Sequence, residues 1–386
     1  MVTQRTVLFA CVTAATVLLA GCAAVGPDFE KPAADVPESW TQPEDEAISS
    51  SPYELVEWWK VFNDPVLDEL VETARVSNNT LAIAGIRVLE AQAQLGVATG
   101  LQYPQVQVAS GAATYVSPAN TAQVSSNHWQ FALGASASWE IDFWGRFRRG
   151  IESADAAFLA SVAAYDQAQV LMTAALVDLY TVIRVTEEQL EISYQNVEIQ
   201  KRSYEIAEVL FNNGADSELD MQQARTLLLS TEATIPGLEI ALAQTRNALS
   251  TLLGKPPGFV GKILAKGSNI PSMPANIAVG IPADMLRRRP DVRQSEYQAM
   301  AQNALVGLAK ADLYPSFSLT GSIGVGTTTL GDSDFGDLFS SDALTWSIGP
   351  SFVWPFLNYG RIKNNVRVQD ARLQQALINY REVVLQ

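Results

Sequence analysis

The longest uninterrupted helical pattern in the sequence runs from Arg146 to Asn213 and contains no proline. Apolar and alanine positions recur in it at spacings of three and four residues, which predicts a single helix. At 1.5 Å per residue that helix is about 100 Å long. An ordinary globular domain cannot enclose such a length, so the stretch predicts an extended wall or spacer made of paired helices.

Shorter helices are predicted on both sides of it. Gly214 is suited to end the long helix, and Asp216 or Ser217 to cap a return helix. Asp64-Pro65 predicts the start of another helix, which continues to near Gly100. Two half-length helices placed end to end would match the long one, as in the wall of a helical barrel.

The landmarks around these helices occur twice. Tyr103-Pro104 recurs as Tyr314-Pro315 at an offset of 211 residues, and Gly145-Arg146 recurs as Gly360-Arg361 at an offset of 215. Each half has the order helix, Tyr-Pro break, two strands, Gly-Arg and long helix. The sequence therefore predicts two structural repeats.

The segments between each Tyr-Pro and Gly-Arg pair alternate apolar with small polar residues. The alternation is clear in 128–141, 316–325 and 345–354, and weaker in 105–116. A period of two predicts strands with one apolar and one small polar face. The fold class is thus mixed α and β, with four strands and long coiled-coil helices in each protomer.

Two interpretations of these strands remain open. One is a soluble antiparallel sheet that packs its apolar face on a core. The other is a membrane sheet with a lipid-facing aromatic girdle at Trp129, Trp139, Trp346 and Trp354. The ten residues from Trp129 to Trp139 span about 33 Å, or about 25 Å vertically at the tilt of a barrel, which favours lipid.

Four strands cannot close a barrel, and open sheet edges are not tolerated in lipid. Two copies would give eight strands, whose interior is filled by side chains, whereas three give twelve and leave room for a conduit. We therefore expect a homotrimer with a twelve-stranded β-barrel.

The N-terminus resembles a bacterial lipoprotein signal. Arg5 precedes an apolar stretch at 7–19, and Leu19-Ala20-Gly21-Cys22 follows. Lipidation of Cys22 by an N-acyl diglyceride is expected, although an ordinary signal with a chance cysteine is the alternative. Ala23 favours delivery to the outer membrane. Because Cys11 leaves with the signal, no disulfide is expected.

These features divide the sequence into five predicted parts. They are a signal peptide at 1–21, a lipid-anchored and equatorial segment at 22–63, repeat 1 at 64–254, a linker at 255–281 and repeat 2 at 282–386.

Composition and motifs argue against several functions. A net charge of −15 disfavours nucleic acid as a partner. No run of about 18 apolar residues follows residue 20, so no transmembrane helix is expected. The single histidine, His128, is expected at a strand start, and the Gly-Lys pairs lack the rest of a P-loop. We expect no enzyme, no cofactor and no metal site.

A set of short motifs along the whole chain resembles the outer membrane factor family, the TolC-like channels, and its NodT-type lipoprotein branch. The matching motifs are Val25-Gly26-Pro27-Asp28-Phe29, Trp58-Trp59 with Phe62 and Asp64-Pro65, Trp139-Glu140-Ile141-Asp142-Phe143 with Gly145-Arg146, Phe211 with Asn213-Gly214, Leu252-Leu253-Gly254 with Pro256-Pro257, and Arg289-Pro290-Asp291-Val292 with Glu296.

The resemblance implies an outer-membrane channel subunit of a tripartite efflux system that exports small molecules such as drugs. It also implies that the long helices form a periplasmic α-barrel continuous with the trimeric β-barrel. Its partners would be a periplasmic adaptor and an inner-membrane pump. The adaptor would bind the helix tip, which in this sequence comprises Phe211, Asn212, Asn213, Gly214, Ala215 and Ser217. The segment at 289–291 is expected to start a helix.

Two alternatives and one departure accompany this interpretation. The alternatives are a type I secretion channel that exports proteins and a non-conducting periplasmic scaffold. The departure is that repeat 2 stops in mid-helix at Gln386. Adding the offset of 215 to Gly214 and Leu253 places a second tip near 429 and a helix end near 468, so about 80 residues are expected beyond this sequence.

Overall fold

The computed structural model describes residues 24–32, 48–49, 55–118, 126–267, 269–272, 277–278, 282–330 and 334–386. The chain forms two compact units that interleave along the sequence. The first unit comprises residues 1–34, 88–162 and 292–386, and the second comprises residues 35–87 and 163–291. The predicted signal peptide at 1–21 and the predicted lipidation site Cys22 lie outside the described residues.

Eight α-helices lie in the described part of the chain. They are α1 (Pro65–Ser77), α2 (Asn79–Gly100), α3 (Arg146–Asn212), α4 (Glu218–Leu252), α5 (Gly261–Leu264), α6 (Pro282–Arg288), α7 (Pro290–Ala311) and α8 (Arg361–Leu385). Helix α3 has 67 residues, which confirms the predicted long helix to within one residue of its end. Short 3-10 helices occur at Leu55–Phe62, Phe335–Phe339 and Ser341–Ala343.

The helix predicted from Asp64 to Gly100 is wrong in one respect, because it is two helices separated at Asn78. The backbone of Asn78 is extended, with ψ at 121°. Its side-chain oxygen accepts from the Leu81 amide at 2.7 Å, and its side-chain nitrogen donates to the carbonyl of Leu252 at 2.7 Å. The end of α4 therefore holds the break, which the local sequence does not announce with Gly or Pro.

The four predicted strands form one antiparallel sheet in the first unit. They are β1 (Val106–Val116), β2 (His128–Ile141), β3 (Ser316–Thr328) and β4 (Leu344–Val353), hydrogen-bonded in the order β1-β2-β3-β4. Among the described residues, β1 and β4 have no further neighbour in this sheet. A separate parallel pairing of two residues joins Ile48–Ser49 to Ile277–Ala278 in the second unit.

The second unit has a conventional hydrophobic core. Leu67 and Leu70 of α1, Leu176 of α3, Leu249 of α4 and the following Leu253 are fully buried and belong to one cluster. Each such side chain contributes about 1.5–3 kcal/mol when it leaves water. This unit is therefore stabilised largely by burial among its own residues.

A buried polar network joins two helices within that core. The Tyr180 hydroxyl on α3 donates to the carboxylate of Asp64, which also accepts from the Val66 amide at 2.8 Å and so caps α1. Burial, reinforced by this hydrogen bond to Asp64, raises the pKa of Tyr180 to about 12. The guanidinium of Arg184 lies 5.0 Å from the Tyr180 ring and donates to the carbonyl of Leu264.

Candidate membrane strip and helix tip

The register of the sheet assigns each strand residue to one of two faces. Trp129, Leu133 and Trp139 of β2 lie on one face, since paired residues in neighbouring strands share a face. The same face carries Tyr115 and Ala113 of β1, Phe317, Leu319, Ile323 and Val325 of β3, and Leu344, Trp346, Ile348 and Phe352 of β4. We call it the apolar face of the strip, and it contains the predicted apolar positions.

Neither face of the strip is covered by a second layer of the described residues. Of all the residues in the four strands, which are fully described, only His128 is buried. Large apolar side chains remain open on the apolar face, including Ile348 at 67% exposure and Trp346 at 71%. A soluble sheet would bury that face under a second layer. The exposed apolar face therefore favours the membrane interpretation over the soluble one.

The opposite face of the strip is small and polar. Ser322 and Ser347 are paired across β3 and β4, with their hydroxyl oxygens 2.9 Å apart, and Thr345 donates to the carbonyl of Gly324. Glu140 and His128, at opposite ends of β2, are the acidic or basic residues among the strand residues on this face. Valines occur there as well, since Val106 and Val108 of β1 pair with serines of β2.

Trp129 anchors an aromatic cluster at one end of the strip. Its ring lies 5.3 Å from Tyr115 and 6.0 Å from Phe131, and Phe131 lies 5.0 Å from Phe335. At the other end, the indole nitrogens of Trp139 and Trp354 donate to the carbonyls of Gln102 and Leu313, each at 3.1 Å. Aromatic side chains with one satisfied polar group are typical of membrane interfaces.

Trp346 lies elsewhere in the sheet. It pairs with Ile323, which in turn pairs with Ala135, midway along β2. The register places Trp346 beside the middle of β2 and β3, two residues after the start of β4.

The N-terminal segment at 24–32 is held at the junction between β2 and α3. Arg149 is buried, and its guanidinium donates to the carbonyls of Val25 and Gly26 at 3.2 Å and to Asp28 at 2.9 Å. A Cβ on Gly26 would lie 2.4 Å from the Cα of Gly307, so only glycine fits there. The motif at 25–29 is therefore held by its backbone carbonyls and by the carboxylate of Asp28.

The helix tip is an exposed turn between α3 and α4. Gly214 has φ at +72°, and the amide of Ala215 donates to the carbonyl of Leu210 at 2.9 Å, as in a Schellman motif. Asn213 follows the end of α3, and Ser217 caps α4 by accepting from the amide of Asp220. The hydrogen bond from Ser217 lowers the pKa of Asp220.

The tip carries exposed apolar residues that the sequence analysis did not include. Val209, Leu210 and Leu219 are 59%, 41% and 65% exposed, and they flank Phe211 and Asn212. In the sequence, apolar residues continue into the last turn of α3, and this pattern could have indicated them.

The described residues offer little for catalysis. They contain no group of three or more His, Cys, Asp or Glu side chains that could hold a metal ion. His128 starts β2, where its ring nitrogens approach the carbonyl of Ser126 at 3.0 Å and Gln130 at 3.2 Å. This geometry is that of a structural residue at a strand end.

Two helices, α2 and α3, are long and apolar enough to cross a membrane when judged by length and composition alone, which differs from the expectation of none. That criterion is weak, because core helices also meet it. Only 6% of the apolar stretch of α2 is buried inside the structure, and Ile83, Ile86 and Val97 are exposed. The helix therefore has an apolar surface that this chain leaves uncovered.

A strip of membrane-type sheet with long helices is the architecture of an outer-membrane channel protein, and the comparisons agree. The model of the family described as outer membrane efflux protein matches residues 70–255 and 281–386. Nodulation protein T of Rhizobium leguminosarum bv. trifolii is 32% identical over 366 residues, which cover 95% of this chain and 76% of the relative.

Further relatives point the same way. The cation efflux system protein CusC of Escherichia coli K12 is 30% identical over 370 residues, covering 95% of this chain and 78% of the relative. The solved structure of the outer-membrane channel OprN superposes with a TM-score of 0.86 at 32% identity, covering 94% of this chain and 80% of that one.

The chain belongs to the outer membrane efflux protein family. It is an efflux channel subunit located in the outer membrane. The family, the efflux function and the location predicted from the sequence are confirmed.

Proposed function

We propose that three copies of this chain form a closed twelve-stranded barrel, each contributing the strip β1-β2-β3-β4. The observation that carries the proposal is a four-stranded sheet that is uncovered on both faces and has two open edges. Backbone groups at those edges must be paired within lipid. Twelve strands give a barrel about 24 Å across, whereas eight give about 16 Å and leave no conduit.

The two faces then have different environments. The apolar face meets lipid, with Trp129 at one interface, Trp139 and Trp354 at the other, and Trp346 within the apolar band. The polar face lines the lumen with serine, threonine and glycine. Because Glu140 is its only charged strand residue, the membrane part of the lumen is permissive to small molecules of different charge.

The long helices form the periplasmic wall. The exposed apolar surface of α2 supports this assignment, because helices of a neighbouring copy would cover it. Cys22 carries the N-acyl diglyceride lipid and anchors the chain to the outer membrane. The two structural repeats predicted from the sequence each supply two strands and the helices that follow them.

The tip connects the channel to its partners. A periplasmic adaptor binds the turn of Phe211, Asn212, Asn213, Gly214, Ala215 and Ser217, with Val209, Leu210 and Leu219 as its apolar contacts. Through the adaptor an inner-membrane pump supplies energy, and small toxic molecules leave by diffusion. The channel itself performs no chemistry and needs no cofactor.

Conductance tests the channel directly. The purified full chain is expected to run as a heat-labile trimer on SDS gels and to conduct ions in planar lipid bilayers. It should restore export of small toxic compounds to a strain that lacks its outer-membrane channel, and only when adaptor and pump are present. Rescue of protein secretion instead would support the type I alternative, and absent conductance would support the scaffold.

The tip is tested separately. Leu219→Asp with Val209→Asp should reduce adaptor capture while leaving the trimer and its conductance unchanged. Ile199→Asp is the matched control, because Ile199 is also exposed on α3, at 64%, but lies away from the turn. Equal adaptor binding by both variants would contradict the assignment of the tip.

A further inference from the structure

The two halves of the first unit make matching contacts beside the strip. The indole nitrogen of Trp139 donates to the carbonyl of Gln102, and that of Trp354 donates to the carbonyl of Leu313, both at 3.1 Å. The tryptophans differ by 215 positions and the acceptors by 211, which are the offsets of the sequence landmarks. Each acceptor immediately precedes a Tyr-Pro pair.

A further contact, between Trp144 and Tyr314-Pro315, has no counterpart within the described part of the chain, although the repeat supplies the equivalent residues. Trp144 stacks on Tyr314, with ring centroids 4.5 Å apart and planes 23° apart, and its indole nitrogen donates to the carbonyl of Pro315 at 2.8 Å. By the same offsets the counterpart of Trp144 is Tyr359, and the counterpart of Tyr314-Pro315 is Tyr103-Pro104. In this chain Tyr359 is 96% exposed and Tyr103 is 65% exposed.

The backbone at Tyr359 forms a turn that leaves the side chain exposed. Its φ is +49°, one of two non-glycine residues with positive φ in the described chain. This conformation costs about 1 kcal/mol or more and persists where surrounding contacts hold it. At Tyr359 a turn holds it, since the amide of Arg361 donates to the carbonyl of Asn358 at 2.9 Å, and the turn presents an almost completely exposed Tyr359 side chain.

The sheet likewise joins the two halves at one place, and the equivalent strands at its edges have no partner among the described residues. Strand β2 of the first half pairs with β3 of the second half, whereas β4 of the second half has a free edge and so does β1 of the first half. Strand β1 starts at Val106 and β3 starts at Ser316, a difference of 210. This is one less than the offset of the Tyr-Pro pairs, because Gln105 lies between Pro104 and β1 whereas β3 directly follows Pro315.

We infer that the second half of one copy contacts the first half of a second copy in the same way as the two halves contact each other within one chain. Tyr359 then packs on Tyr103-Pro104 of the second copy. This inference rests on the proposed oligomeric barrel and specifies its contact. Within one copy Leu133 of β2 pairs with Val325 of β3. Adding 215 to position 133 gives Ile348, and subtracting 210 from position 325 gives Tyr115. Ile348 of one copy therefore lies opposite Tyr115 of the next.

The faces provide an independent check of that register. Ile348 and Tyr115 both lie on the apolar face, as do the neighbouring pairs Pro350 with Ala113 and Phe352 with Gly111. A slip by one residue would place apolar side chains of one copy beside lumen residues of the other. The inferred register therefore keeps one continuous apolar face around the barrel.

Paired cysteines test the contact in the full chain in its native membrane. Tyr359→Cys with Tyr103→Cys is expected to give dimers and trimers on a heated, denaturing gel after treatment with a short bis-maleimide. Each single variant should remain monomeric on that gel. Trp144→Cys with Tyr314→Cys is the matched control, which should cross-link within one chain and leave the mass unchanged.

The register is tested by Ile348→Cys with Tyr115→Cys, since opposite Cβ atoms lie about 5 Å apart. Oxidation should link copies through this pair much faster than through Ile348→Cys with Thr114→Cys, whose side chains lie on opposite faces. In addition, Tyr359→Ala should lower the temperature at which the trimer dissociates, while Tyr359→Phe should preserve it.

The outcomes separate the two proposals. If the unmodified chain forms a conducting trimer but neither pair links copies, and Tyr359→Ala behaves like Tyr359→Phe, the inferred contact is overturned while the channel function stands. If the unmodified chain forms no oligomer and no conductance, the proposed function fails, and the contact fails with it.

Discussion

The two units of this protein bury their apolar side chains in different ways. The second unit encloses a core in which Leu70, Leu176 and Leu249 are completely buried. The strip of the first unit leaves Leu133, Trp346 and Ile348 between 49% and 71% exposed. The first arrangement is complete within one chain, whereas in the proposed barrel lipid covers the apolar face of the second. If the proposal is right, the strip and not the core depends on the membrane.

A core truncation gives the largest expected effect. Leu70→Ala leaves a cavity under α1 and should lower the free energy of unfolding of the second unit by about 2–5 kcal/mol. Thermal unfolding followed by circular dichroism in detergent measures it. Leu227→Ala on the exposed side of α4 is the control, since Leu227 is 57% exposed. Similar losses in both variants would contradict the assigned core.

An arginine introduced in the middle of the strip tests whether its two faces meet different environments. Leu133→Arg should destabilise the membrane-inserted sheet by about 2–4 kcal/mol, because the charge would meet hydrocarbon. Ser136→Arg, on the opposite face of the same strand, should cost much less because it would meet water. Refolding into lipid vesicles measures both. Equal costs would mean that the faces are not distinguished by lipid.

The buried tyrosine of the second unit predicts a pH effect. Because the pKa of Tyr180 is raised to about 12 from an ordinary value of 10, its contribution is complete below pH 10 and is lost as the pH rises from 10 to 12. The loss amounts to about 2 kcal/mol. Tyr180→Phe should reduce this alkaline loss.

That comparison uses thermal unfolding of both proteins between pH 9 and pH 12. Tyr115→Phe is a suitable control, since Tyr115 is 54% exposed on the strip and belongs to the other unit. An unchanged alkaline slope in Tyr180→Phe would show that another group controls it.

The smallest effect is expected at the break between α1 and α2. Asn78→Ala removes the cap on the Leu81 amide and should lower the stability of the second unit by about 1 kcal/mol. Asn79→Ala, at the neighbouring exposed position, should change it by a few tenths of that. Hydrogen exchange at Leu81 reports on the cap, and equal protection in both variants would argue against it.

Much of the architecture could be predicted because it rests on local patterns. The proline-free run from Arg146 predicted α3, Gly214 predicted its end, and alternation predicted the four strands. The break at Asn78 could not be predicted, because carbonyl groups at the end of α4, 174 residues away, hold it. The tip residues Val209 and Leu219 were missed because exposure is a property of the fold.

The position of Trp346 shows the same limit within the sheet. Its alternation correctly placed it on the apolar face, but its level depends on the register with Ile323 and Ala135. Register is set by pairing between strands that are far apart in sequence, and a single strand carries no record of it.

The sequence by itself determined the long helix, the alternating strands and the family motifs, since these follow from helical period, strand period and turn residues. Only the tertiary structure decided that both faces of the strip are open and that Trp144 is stacked while Tyr359 is not. Burial and stacking depend on which distant segments meet, and chain order alone does not specify those meetings.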